Sequence, residues 1–114
     1  MTESTERVVE QGEIWVQKVR HNGDFKYRPF LIANIKIERE NDVIALPVSS
    51  NKSMPRNQYD VKVKHEDGTG LLRFPSYIRV SKPLTINKYK LGYKIGKLDD
   101  IDLANALEKL RSLF

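Results

Sequence analysis

The chain has 114 residues, which suits one domain with its own core and leaves no room for two. It has no cysteine and two histidines, His21 and His65, which excludes disulfides, thiolate metal sites and cysteine nucleophiles and makes a structural zinc site unusual. The net charge of +5 hides an asymmetry: residues 50–97 carry eleven Lys/Arg against three acids, a surplus of +8, whereas residues 1–10 and 98–114 each sum to −2. A basic tract of this kind attracts phosphate backbones, although the same charge also suits a solvated surface. Hydrophobic residues at 39% and charged residues at 31% fit a soluble globular protein. The longest apolar run is about six residues, too short to span a membrane, and the polar start lacks the apolar stretch of a signal peptide. The expectation is a cytoplasmic protein with a flexible extension over residues 1–11 and a single domain over residues 12–114.

In chain order, residues 12–19 alternate apolar and polar side chains and read as a strand. His21, Asn22, Gly23 and Asp24 form a polar loop with turn chemistry. A second strand is expected over residues 30–34, with Pro29 at its first position, where a missing N–H costs least. Residues 43–48 read as a strand buried on both faces. Residues 51–57 form a surface loop. In the strictly alternating stretch 59–65, Tyr59, Val61, Val63 and His65 face one way, and Asp60, Lys62 and Lys64 face water. Residues 76–81 form another strand, 88–91 a helical turn and 93–98 a last short strand. The period then changes: Leu103, Leu107, Leu110 and Phe114 recur at helical spacing, Ala104 and Ala106 permit close approach, and Asp99 is placed to cap the helix. Antiparallel strands followed by one helix predict a mainly β, barrel-like, strongly curved sheet with a C-terminal α-helix, as in small SH3-like barrels.

Four residues carry candidate chemistry. His21 is a candidate for proton transfer, since an unperturbed imidazole suits that role near neutrality, though a loop histidine is more often merely solvated. His65, on an inward phase, is better read as structural. Arg28, at the mouth of a core strand, and Arg79, between Ile78 and Val80, are planar, permanently charged forks suited to clamping phosphate. Each arginine could equally serve as a rim salt-bridge residue.

Taken in order, Gly12-Glu13-Ile14-Trp15, Arg28-Pro29-Phe30-Leu31-Ile32 and Leu46-Pro47-Val48-Ser49-Ser50 resemble three signatures of the MazF/PemK (Kid) toxin family. Residues 76–87 are similar, without a gap, to its strand-arginine segment, and residues 94–98 with the following helix resemble its ending. The resemblance covers about residues 11–114. It implies a PemK-like barrel, a homodimer, a cognate antitoxin and a metal-independent endoribonuclease that cleaves single-stranded RNA (mRNA) by attack of a 2′-OH on the adjacent phosphate, with no cofactor. On this resemblance Arg28, Ser49 and Arg79 are catalytic, His21 lies near a loop histidine of some members, and Lys82, Ser50 and Asn51 are expected to hold substrate. Two departures stand out. Ser81 replaces an aspartate proposed as general base, and the loop before Arg28 lacks a Glu-Gln pair. The alternative is a catalytically lapsed module that binds nucleic acid or protein on the same groove, and a third reading is a relative of the CcdB branch. Lys62, on an expected outward face, is the natural comparison position away from the site.

Overall fold

The computed structural model describes residues 7–49, 57–63 and 76–114. Among the described residues, seven strands, β1 (Glu13–His21), β2 (Asp24–Ile32), β3 (Asp42–Ser49), β4 (Asp60–Val63), β5 (Ser76–Arg79), β6 (Leu84–Asn87) and β7 (Tyr93–Lys97), precede one α-helix, α1 (Asp100–Arg111), with a short 3-10 turn at Lys88–Lys90. Every described pairing is antiparallel, and the sheet runs β4-β5-β3-β2-β1-β7 with β6 also on β3. Ala45 is bracketed by Ile32 on β2 and Leu84 on β6, which makes β3 the hub of the sheet. The β1–β7 register slips between Ile14 and Trp15, and a bulge of this kind bends a sheet. The result is a curled half-barrel carrying a C-terminal helix.

The two faces bury separate clusters. Ile14, Leu31, Leu46, Val48, Val63 and Ile78 share one face with Leu98 and Ala106, with Leu103, Leu107 and Leu110 packed against them. Trp15, Phe30, Ile32, Val43 and Ala45 share the other face with Val9, Ile86 and Leu91. The packed domain therefore begins before residue 12. Val9 is buried, the Gln11 amide donates to Ala33 O at 2.8 Å, and the Arg7 guanidinium lies 5.3 Å from the Trp15 ring centroid. This corrects the expected extension for residues 7–11; residues 1–6 lie outside the described residues.

Several expected elements differ in detail. The His21–Asp24 segment is a two-residue hairpin loop: Asn22 (φ 50°) and Gly23 (φ 78°) both take the left-handed backbone that a tight β-turn with the right twist requires. His21 is thus a strand end, paired with Asp24, rather than part of an open loop. Pro29 stands inside β2, opposite Val16; the described ladder to β3 covers only Phe30, Leu31 and Ile32, so the missing N–H falls where that ladder has ended. Within β3, Ile44 is 43% exposed, so the strand is not buried on both faces along its whole length. Helix α1 is capped as expected, with the Asp99 carboxylate accepting from Asp102 N at 2.7 Å. Ala106 is fully buried, whereas Ala104 is exposed, and Phe114, beyond the helix end, is 95% exposed. No helix among the described residues is long and apolar enough to cross a membrane.

Candidate active site

The register decides which side chains share a face. Cross-strand partners point the same way, and residues two apart on a strand return to the same side. On β2, Arg28 lies two residues before Phe30, and Phe30 pairs with Pro47 of β3; continued by two residues, that register brings Arg28 level with Ser49. Ser49 pairs with Tyr77 of β5, and Arg79 follows two residues later. Ser49 and Arg79 are therefore diagonal neighbours, a relation that places Cα atoms about 7–8 Å apart. Arg28, Ser49 and Arg79 thus lie on one face, the same face as Phe30 and Ala45. Toward β6 that face is closed by the second apolar cluster. Toward β4 and the base of the β1–β2 hairpin it carries Gln17, Arg28, Ser49, Tyr77 and Lys62, of which Arg28 and Lys62 are exposed and the others half-buried.

The β4–β5 ladder completes the site. Asp60 pairs with Arg79 and Lys62 with Tyr77. The Asp60 Oδ1 atom lies 3.8 Å from Arg79 Nε, and the two side chains are 1% and 17% exposed. The expectation that Asp60 faces water is therefore corrected. Its phase is the one opposite Val61 and Val63, but that side of β4 is the side on which Arg79 lies. Lys62 shares that phase and is part of the site's face rather than a remote comparison position. After β5 the chain turns at once, with Lys82 N donating to Arg79 O at 3.1 Å and Val80 fully buried beneath the turn. Ser81 then accepts from the Asn57 side-chain amide at 3.1 Å. Asn57 also opens β4, its side chain accepting from Tyr59 N at 2.8 Å and its backbone from Asp60 N at 3.2 Å.

The remaining expected site residues are placed less closely. His21 pairs with Asp24 at the hairpin tip, four strand positions beyond the Gln17–Arg28 pair, or about 13 Å at the usual rise. Lys82 is exposed in the turn after Arg79. Ser50 and Asn51 lie outside the described residues, as does His65.

A family profile described as PemK-like, MazF-like toxin of type II toxin-antitoxin system matches residues 10–114. The chain belongs to this toxin family. Solved structures agree on the fold. The Mycobacterium tuberculosis toxin MazF-mt6 superposes with a TM-score of 0.67 at 22% identity, covering 88% of this chain and 93% of that one. A MazE–MazF structure from Deinococcus radiodurans gives 0.74 at 16% identity, covering 95% and 96%. An endoribonuclease in complex with its cognate antitoxin, from a mycobacterial species, gives 0.71 at 15% identity, covering 91% and 90%. No curated protein sequence matches the chain.

Against this PemK-like background, Asp60 is the site residue that sequence reasoning missed. A signal for it was present. Ile78 fixes the inward phase of β5, so Arg79 takes the outward phase, and Asp60 takes the outward phase of β4. Opposite charges in the same phase of two strands that pair would have joined them.

Proposed function

We propose that this PemK-like toxin is an endoribonuclease acting on single-stranded RNA, mRNA in the cell, as a cytoplasmic homodimer restrained by a cognate antitoxin. The observation that carries the reading is the placement of two arginines and a hydroxyl on one face of a rigid sheet, beside a tract that is basic overall. In the reaction the ribose 2′-oxygen bonds to the adjacent phosphorus, the bond from phosphorus to the 5′-oxygen breaks, and a 2′,3′-cyclic phosphate and a 5′-hydroxyl remain. The 2′-OH loses a proton and the 5′-oxygen gains one. Arg28 and Arg79 neutralise the charge that grows on the phosphorane, and Ser49 donates a hydrogen bond to one of its oxygens. Arg79 is the better preorganised of the two, being half-buried in a ladder, whereas Arg28 is exposed. His21 stands too far along the hairpin to serve the same phosphate, and we assign it no step. This scheme uses no metal. The lapsed-binder reading draws on Ser81, whose hydroxyl is bonded to Asn57 where the resembled family has a carboxylate.

The test is incubation of the purified protein with a long unstructured RNA in EDTA. Cleavage with cyclic phosphate ends supports the enzyme; intact RNA from folded protein favours the binding module. Arg79→Ala should lose about 10² to 10³ in rate. It should lower the salt slope of binding to an RNA 2′-deoxy at the scissile position by only about 0.7. Lys36→Ala, exposed in the loop at the far end of β3, should change neither.

A further inference from the structure

We infer that Asp60 is the positioning residue of Arg79, supplying from the neighbouring strand the carboxylate that Ser81 does not. The inference rests on the endoribonuclease reading of the same site. Asp60 and Arg79 are direct cross-strand partners, and Arg79 has no other charged partner among the described residues. At 3.8 Å the Nε–Oδ1 contact is an ion pair and too long for a hydrogen bond. Neither group is free in water. The Asp60 side chain is almost wholly buried and Arg79 Nε is inaccessible, so the Arg79 charge is balanced by the carboxylate beside it.

The carboxylate is itself held in place. Val63 is fully buried on the opposite face of β4, Asp60 N donates to Asn57 O, and the Asn57 side chain ties this strand entry to Ser81 at the exit of β5. A carboxylate fixed beside Nε constrains the guanidinium plane and leaves its two terminal nitrogens as the donors for a phosphate. Asp60 touches no reacting atom; it acts through Arg79. It also sets one negative charge beside the place where a phosphate would sit, which opposes binding while favouring orientation.

The two effects have opposite signs, and that makes the inference testable. Asp60→Asn keeps the shape and removes the charge. It should lower kcat about tenfold or more, because a misdirected group costs rate steeply. Affinity for the RNA 2′-deoxy at the scissile position should stay level or rise. The double variant Asp60→Asn/Arg79→Ala should cleave no more slowly than Arg79→Ala alone, within about twofold, because residues acting through one another are not additive. A kcat for Asp60→Asn within about twofold of the parent, or losses that multiply in the double variant, overturns the inference. If Asp60→Asn melts below the assay temperature, Asp60→Glu replaces it; this variant keeps the charge one methylene away, a several-fold loss of kcat at unchanged affinity is expected, and parental kcat overturns the inference. If the parent leaves RNA intact, the endoribonuclease reading fails on its own. The pairing is then read in binding: Arg79→Ala weakens binding while Asp60→Asn leaves it level or raises it, and an Asp60→Asn variant that weakens binding as much as Arg79→Ala overturns the inference.

Discussion

Glu13 is buried at the start of β1 and nevertheless holds its charge. Burial alone would raise its carboxyl pKa, but the donors reverse this: the Glu10 N–H at 2.8 Å, the Trp15 indole at 3.1 Å and the Lys94 ammonium at 3.2 Å together hold it below the ordinary value of 4.5. A carboxyl depressed by folding contributes stability that is complete above the unfolded value and is lost as pH falls through the folded one. Glu13→Gln should therefore lower the melting temperature at neutral pH, and its deficit against the parent should shrink as the pH drops below about 4.5. Melting curves from about pH 3 to 7 check this, and a constant deficit across the range would show that the charge is not what matters. At this scale the sequence was informative wherever a side chain's neighbours lie on its own strand. Arg28, Ser49 and Arg79 could be named because each sits in a short local pattern. Asp60 and Lys62 were misplaced because their surroundings come from β5, across an intervening stretch that periodicity does not bridge. Neither the burial of Trp15 nor its bond to Glu13, two residues away on the same face, was legible.

Helix α1 was the most legible element, because its signals are local: an aspartate cap, acids in the first turn, bases in the last and leucines at helical spacing. The Asp99 cap bonds Asp102 N, and a lost cap costs about 1 kcal/mol. Asp99→Ala should lower the melting temperature by several degrees in a domain of this size, and its RNA binding should match the parent's. A melting temperature equal to the parent's would mean that packing on the sheet alone fixes the helix start. Phe114 continued the leucine spacing on paper, but the helix ends at Arg111 and leaves it in solvent. The strands were less transparent. β6 gave no periodic signal because in its four residues only Ile86 is buried. β3 looked uniformly apolar because its two faces serve different clusters, and Ile44 projects where neither covers it.

For the whole molecule, the basic surplus of residues 50–97 is not one solvated surface. Lys88 is buried, Arg79 is paired with Asp60, Lys94 is bonded to Glu13, and Lys62 and Lys82 remain exposed around the site. Tyr27, Tyr93, Ile101 and Phe114 are large apolar side chains left in solvent, and β7 ends the described sheet. A second copy covering such surface should give about twice 13.2 kDa by light scattering, and a single-chain mass persisting at high concentration would contradict the homodimer. The sheet also has one part outside the common ladder, tied back where the Tyr27 ring meets Tyr93 of β7 at 6.2 Å between centroids. From Gln17–Arg28 outward to His21–Asp24, the β1–β2 hairpin is paired, among the described residues, only with itself. A two-stranded ribbon is barely stable on its own in water, so this stretch should open at a lower free energy than the one that unfolds the sheet. Ser49 lies on the hub strand and pairs with β5, whereas Arg28 stands at the joint of a lever that should swing more often than the molecule melts. In the proposed site Arg28 would thus be the intermittent group, and the share of competent molecules would follow how often the lever is down.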